Sequence, residues 1–188
     1  MWIGAEPEAA RLDLNRASGG ALHRLFLAAG IDEGRAQALR DAVLDWRDAD
    51  DITRDRGAED HDYLAAGRPA GARDGHFASV DELLLVRGMT RELLRRLRPL
   101  LTVHGGRGTF DPGFASREVR SSDPAPAGDG YTYRLHAEID LEGGETLRRS
   151  MVIDIRHRTP RGYRVLAYHP HPSSSPPRIP AEEGGGRS

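Results

Sequence analysis

The sequence predicts an α+β protein in which a helical module precedes a small antiparallel sheet. Apolar residues recur at helical spacing within residues 12–104, and apolar and polar residues alternate within 131–168. The segment 105–130 between them is rich in Gly, Pro and Ser, which is typical of a linker or long loop. The chain has 188 residues, enough for one domain or two small ones. We expect residues 1–11 to be irregular and residues 169–188 to form a disordered tail.

The first helix is predicted from an apolar stripe at positions i, i+3 and i+4. Leu22, Leu25 and Phe26 form this stripe. Asn15 or Ser18 can accept a backbone N–H at its N-terminus, and a glycine, Gly30, stands where the helix should end.

The second helix is predicted over 33–47, with Asp32 as its N-cap. Its buried side is formed by a set of apolar residues, namely Ala36, Leu39, Val43, Leu44 and Trp46.

Two further helices follow a long loop. Ser79 and Glu82 have the spacing of a capping box, in which the serine hydroxyl meets the Glu82 N–H and the glutamate side chain reaches back. Thr90 caps the last helix, over 91–98, and Pro99 stops it. Residues 100–103 then have the composition of a strand.

Three strands are predicted after the linker, over 131–139, 147–155 and 163–168. Their strict alternation predicts an antiparallel meander with one wet face, and Gly143-Gly144 predicts a hairpin turn. Such a small sheet needs a helix on its dry face, and the sequence contains no surplus helix to cover it.

The most unusual stretch is an acidic loop over residues 45–63. It carries eight acidic residues, and like charges this close together repel one another. Either water screens the loop and it stays loose, or a hard cation such as Ca²⁺ neutralises it. Trp46 and Tyr63 at its two ends favour order, because disordered acidic tracts contain few aromatic residues.

The loop is not an EF-hand. Asp48, Asp50 and Glu59 occupy positions one, three and twelve of such a loop. Ile52 and Thr53, however, stand where an oxygen ligand and a glycine are required.

Composition excludes several classes of protein. The net charge of −2 argues against a bulk nucleic-acid binder, and the absence of cysteine excludes disulfides and thiolate metal sites. No apolar run is long enough to span a membrane. We expect no signal peptide, because Met1-Trp2-Ile3 leads directly into acidic residues.

Two other functions fit parts of the sequence. The helix–Gly-turn–helix pattern around Gly88, followed by arginines, is compatible with a helix-hairpin-helix module that binds phosphate groups. A metal-dependent hydrolase could use the acidic loop with His61 or His76, but no motif that supplies an oriented base or nucleophile is present. We therefore expect no enzyme activity and no catalytic residues.

Five stretches together resemble the K-type minor pseudopilin of bacterial type II secretion, in order and spacing. They are LDLNRA at 12–17, LDWRDADD at 44–51, GAED at 57–60 followed by Tyr63, FASVDELLLVRGMT at 77–90, and RPLLTV at 98–103. The resemblance is close over residues 11–104 and only general over 117–168. The pairing of DWRDADD with GAED is its most specific part.

The resemblance implies a non-enzymatic protein at the tip of a periplasmic pseudopilus, where it supports protein export. Its partners would be the I- and J-type minor pseudopilins, and exported proteins; no nucleic acid is expected. The implied fold is a helical module, SAM-like or helix-hairpin-helix-like, joined to a pilin-like sheet. The implied cofactor is structural Ca²⁺, held among the acidic residues Asp48, Asp50, Asp51, Glu59, Asp60 and Asp62.

The sequence departs from this family at its N-terminus. The family's leader and long apolar helix have no counterpart before residue 12, so we expect either a late start or a short soluble form. Membrane contact would then require a helix that this sequence does not contain, although the family is associated with the bacterial inner membrane. The helical module is also a short form, since only Thr109 to Gly113 stand where the family often has a further helical segment.

Overall fold

The fold is α+β, as predicted. A computed structural model of the protein describes residues 1–105, 108, 131–140, 146–156 and 162–170. The described part contains four α-helices, all within the first hundred residues: α1 (Gly19–Ala28), α2 (Glu33–Arg47), α3 (Asp60–Ala65) and α4 (Arg91–Leu97). Short 3₁₀ helices lie at Glu8–Ala10, Val80–Leu85 and Arg98–Leu100. None of the described helices is long and apolar enough to span a membrane.

Six strands form two sheets in the described residues. They are β1 (Trp2–Pro7), β2 (Leu12–Asp13), β3 (Leu101–Thr102), β4 (Thr132–Asp140), β5 (Thr146–Asp154) and β6 (Arg164–Pro170). The larger sheet has the order β1-β4-β5-β6 and is antiparallel throughout. The smaller one pairs β2 with β3 in parallel, and so joins the two ends of the helical module.

The N-terminal segment is a strand, although the sequence predicted it to be irregular. β1 pairs with β4, with Ala5 opposite Leu135. This pairing joins residues about 130 positions apart, and the short segment shows no clear alternation of its own. Long-range pairing therefore decides its structure, which local pattern cannot reveal.

β4, β5 and β6 form an antiparallel meander, as predicted, but burial does not alternate along the strands, since Val152, Ile153 and Asp154 of β5 are buried in succession. Asp140 lies opposite Thr146, as a hairpin requires, while the predicted Gly143-Gly144 turn itself lies outside the described residues. β6 extends to Pro170, so His169 belongs to the sheet and not to the predicted tail. The rest of that tail, and nearly all of the predicted linker, also lie outside the described residues.

The first two helices begin and end as their sequences predict. Of the two candidate N-caps, Ser18 is the one that accepts a hydrogen bond, from the Ala21 N–H at 3.2 Å. Asp32 accepts from the Arg35 N–H at 3.0 Å. Gly30 has a φ of 76°, the left-handed conformation that glycine adopts without strain after a helix.

Long-range hydrogen bonds from three motif residues hold the module together. The Asn15 side chain bonds to the backbone of Phe77 twice. Its Oδ1 accepts from the Phe77 N–H at 2.7 Å, and its Nδ2 donates to the Phe77 carbonyl at 3.1 Å. Arg47 donates to the carbonyls of Leu14 and Ala17. The Trp46 indole donates to Glu82 at 3.0 Å. The Asn15 and Arg47 side chains thereby satisfy backbone groups that the irregular segments would otherwise leave unpaired.

The segment after Ser79 differs from its prediction in two ways. It forms a 3₁₀ helix, and the Ser79 hydroxyl makes no capping hydrogen bond. The Glu82 side chain does reach back, but it accepts from the Ala78 N–H at 2.9 Å. Its other oxygen accepts from the Trp46 indole. The bond from the Ser79 hydroxyl that a capping box requires is therefore absent, and Glu82 bonds instead to Ala78 and to a residue of α2.

Candidate cation site in the acidic loop

The loop between α2 and α3 is folded against an arginine of its own. The Asp45 side chain is fully buried, and Arg54 contacts it through both the backbone N–H, at 3.2 Å, and the guanidinium, at 2.5 Å. The same guanidinium nitrogen lies 2.6 Å from Asp48 Oδ2. One cation within the chain thus compensates part of the negative charge that the sequence concentrates there.

Glu59 is the residue whose charge the protein does not compensate. It is 1% exposed, and neither of its carboxylate oxygens makes a well-formed hydrogen bond, although the Asp62 N–H faces its side chain as in a capping box. Asp48 Oδ1 is likewise buried without a donor, because Arg54 holds only the other oxygen. Buried carboxylate oxygens are nearly always paired with protein groups, ordered water or ions, so these three mark the part of the loop that a ligand could occupy.

The electrostatics agree with this geometry. Burial is the largest cause that raises the pKa of Glu59, to about 7, and the negative charges of neighbouring residues raise it further. Those neighbours are Asp45, Asp48, Asp74 and Asp50. The glutamate therefore lies in a strongly negative environment that disfavours its ionised form.

Four of the six predicted ligands accept hydrogen bonds from groups of the protein. Asp48 and Asp50 act on the pKa of Glu59, and Asp51 acts on that of Asp74, so these residues share one region with the two carboxylates. Asp60 belongs to this region too, because its charge also raises the pKa of Asp74. Asp48 and Asp50 have protein donors, namely the Arg54 guanidinium and the Ile52 N–H, and so do Asp60 and Asp62.

Asp60 accepts from the Ala72 N–H at 2.7 Å. Asp62 accepts from the Glu59 N–H at 3.1 Å and lies 3.6 Å from the Arg87 guanidinium. Their hydrogen bonds instead order α3, a six-residue helix that the sequence analysis missed.

Asp74 is a member of the cluster that sequence reasoning did not single out. Desolvation first, and then the charges of Asp60, Asp51 and Asp48, raise its pKa. It has a φ of 52°, and among the described residues it is the only non-glycine residue with a positive φ. The Asp-Gly pair at 74–75 is a turn signal that could have marked the position, but its distance from the acidic stretch hides the proximity.

Within the residues that the structure describes, no group of three or more His, Asp or Glu side chains is arranged to hold a metal ion. The six-residue ligand set consequently stays a prediction. In the absence of a cation, like charges keep carboxylates apart. Within the predicted set, the buried oxygens of Glu59 and Asp48 that lack hydrogen bonds are the ones suited to bind a cation.

The raised pKa of Glu59 predicts how the stability of the ion-free protein depends on pH. Because the folded pKa, about 7, lies above the ordinary value of 4.5, the folded state binds the proton more tightly than the unfolded state between these values. In EDTA, the free energy of unfolding should thus fall as pH rises from 4.5 to 7. Urea denaturation across this range measures it, and Glu59→Gln should remove most of the slope. A wild-type slope that persists in this variant would contradict the prediction.

Several arginines around the Gly88 turn are engaged within the protein, while Arg91 and Arg95 are exposed. Arg96 donates to the Ala29 carbonyl and Arg98 pairs with Asp81. His61, considered for a hydrolase, is exposed and lies 3.4 Å from Asp62. These contacts lend no support to the nucleic-acid or hydrolase interpretations of the sequence.

A family profile described as type II secretion system (T2SS), protein K, matches residues 5–106. Three curated relatives carry related names. A putative type II secretion system protein K of Escherichia coli K12 is 32% identical over 79 residues, covering 42% of this chain and 24% of the relative. The type II secretion system protein K of Pectobacterium carotovorum subsp. carotovorum is 37% identical over 70 residues, covering 37% and 21%. That of Dickeya chrysanthemi is 36% identical over 80 residues, covering 43% and 22%. The matched stretches thus span a quarter or less of each relative.

A solved structure shares the fold. It is the crystal structure of the GspK-GspI-GspJ complex from the type 2 secretion system of enterotoxigenic E. coli, which matches with a TM-score of 0.67 and 17% identity. The match covers 91% of this chain and 79% of the matched one.

The profile match over residues 5–106 therefore assigns the chain to a class of type II secretion system proteins, and the shared fold agrees with this. The chain belongs to the protein K family of that system.

Proposed function

We propose that the protein is a non-enzymatic minor pseudopilin that helps to build the tip of the type II secretion pseudopilus. The profile match over residues 5–106, which includes the acidic loop and the motifs that fold around it, carries this proposal. The protein would act in the periplasm, in association with the inner membrane. Its partners would be the I- and J-type minor pseudopilins, because the structural neighbour is a complex of GspK with GspI and GspJ.

The acidic loop would bind Ca²⁺ as a structural ion. Glu59 and Asp48 supply three buried oxygens that lack donors. Asp50, Asp51 and Asp74 are the further carboxylates of the same region. Ca²⁺ accepts six to eight oxygen ligands in flexible geometry, which suits a loop whose carboxylates approach one another only when their charge is neutralised.

The bound ion would serve assembly by fixing a surface. A loop of this length would otherwise sample many conformations, and a partner would have to order it at the expense of affinity. With the loop fixed between α2 and α3, the protein can present one preorganised shape to its neighbours.

Reconstitution with the soluble domains of the I- and J-type pseudopilins encoded in the same genome tests the proposal. We expect size-exclusion chromatography with light scattering to show a ternary complex in Ca²⁺ and a smaller fraction of complex in EDTA. Separate elution of the three proteins in Ca²⁺ would contradict the pseudopilin proposal. Equal complex formation in Ca²⁺ and EDTA would contradict only the role of the ion in assembly.

A further inference from the structure

The apolar core does not extend from the helical module into the larger sheet. The main cluster of buried apolar residues runs from Leu12 to Leu101. Among the described residues, neither this cluster nor the partly buried side chains packed on it include any residue of β1, β4, β5 or β6. The sheet side has its own buried apolar residues, Ala9, Val152 and Ile153, outside that cluster. Polar groups at the junction therefore supply contacts between module and sheet that the main core does not.

Glu8 lies where the chain passes from the sheet into the module. It follows β1 directly, and it is 0% exposed. From the sheet, Arg134 of β4 contacts both of its oxygens, with Nε 2.7 Å from Oε1 and Nη2 3.3 Å from Oε2. Arg11, in the connecting segment, places Nη1 3.2 Å from Oε1, and the Thr102 side chain of the module adds a hydrogen bond. One buried carboxylate thus receives donors from both units.

Arg11 extends the same network in both directions. Its Nε donates to the Pro99 carbonyl of the module at 3.2 Å, and its guanidinium also pairs with Glu6 of β1. Glu6 in turn lies 3.8 Å from His136 of β4. Two carboxylates and two guanidiniums therefore form a balanced cluster across the junction, and the removal of one member would leave a buried charge without a partner.

We propose that Glu8 is the centre of a charge-held latch that fixes the orientation of the helical module on the sheet. Because the core stays within the module, opening the latch changes that orientation without disrupting the packing of the module itself. Forked contacts between a carboxylate and a guanidinium have a fixed geometry, so they can hold an angle as well as a distance. The latch consists of Glu6, Glu8, Arg11 and Arg134.

Distance measurements between spin labels test this latch. The sequence contains no cysteine, so thiols introduced by Arg95→Cys in α4 and Arg164→Cys in β6, both at exposed positions, are the only labelling sites. Pulsed electron paramagnetic resonance on the labelled full chain should give one narrow distance distribution. Glu8→Gln should broaden or split it, while calorimetry shows that the module still melts cooperatively.

The matched control is Glu138→Gln. This residue carries the same charge, but its partner Arg148, at 3.1 and 3.2 Å, lies in the same sheet. The distance distribution between the spin labels should stay narrow in the Glu138→Gln variant. Arg134→Lys provides a second test, because it keeps the positive charge and loses the fork, and it should also broaden the distribution. An unchanged narrow distribution in Glu8→Gln and Arg134→Lys would overturn the inference. Loss of the module's cooperative melting in both variants would overturn it too, because Glu8 would then support the core.

Discussion

Glu59→Gln should abolish the stabilisation of the helical module by Ca²⁺. At a free Ca²⁺ concentration about 100 times the dissociation constant, binding to the folded state alone adds about 2.7 kcal/mol to the free energy of unfolding. For a module of this size, that corresponds to a rise in melting temperature on the order of 10 °C. The glutamine lacks the charge that attracts the ion, and differential scanning calorimetry with Ca²⁺ and with EDTA measures the difference.

The same variant should melt at a higher temperature than the wild type when both are in EDTA at neutral pH. Without the ion, the ionised Glu59 is buried beside other carboxylates, and a neutral amide relieves that repulsion. Asp50→Ala should likewise lose the Ca²⁺-induced rise. Asp55→Asn is the matched control, since this exposed residue belongs to the same loop and should retain the full response. Identical wild-type melting in Ca²⁺ and EDTA would rule out the structural ion.

Gly57→Ala should strongly destabilise the module. A Cβ at this position would overlap the Asp45 carboxylate, which cannot move away because it is fully buried and held by Arg54. Either the loop shifts or the ion pair breaks. Overpacking alone lowers stability by about 1–3 kcal/mol, and a broken buried ion pair by about 3–5 kcal/mol. Chemical denaturation of the variant measures the loss.

Gly75→Ala is the control for this substitution. It lies in the irregular segment after α3, and the nearest atom to its Cβ would be the Arg73 carbonyl oxygen at 3.8 Å, an ordinary contact. It should change stability by no more than about 0.5 kcal/mol, as surface substitutions usually do. Equal effects at the two glycines would mean that Asp45 is not held as the structure indicates.

Local signals in the sequence were sufficient for the fold class and most of the helices. Ser18, Asp32 and Thr90 cap their helices through their own side chains, because capping depends on residues three positions apart. The alternation in β4 and β5 was equally readable, since the period of a strand is a property of the strand alone.

The errors concern contacts between distant residues or segments too short for a period. β1 forms because it pairs with β4, and no pattern within residues 1–11 indicates this pairing. α3 has six residues, fewer than two turns, so no apolar stripe can show it. Glu82 has the expected capping spacing, yet its side chain also accepts a hydrogen bond from the Trp46 indole. Spacing along the sequence cannot reveal such a contact.

In the candidate site, too, local features were predictable from the sequence and contacts between distant residues were not. The acidic loop and Glu59 were visible as charge density and spacing. Asp74 approaches from the far side of α3, and the choice between donors within the protein and a bound ion depends on the fold. For that reason Asp60 and Asp62 appeared equivalent to Asp48 in the sequence, whereas the structure pairs the first two with backbone N–H groups and pairs one oxygen of Asp48 with Arg54.

The position of Trp46 makes the protein suitable for optical measurements. Its indole is 5% exposed, donates to Glu82, and meets the Tyr63 ring edge-on at 5.2 Å, at the base of the acidic loop. The other tryptophan, Trp2, is 37% exposed on the outer strand of the sheet. The two fluorophores therefore sense different polarities, so that blue-shifted emission reports on the loop and red-shifted emission on the sheet, without any dye.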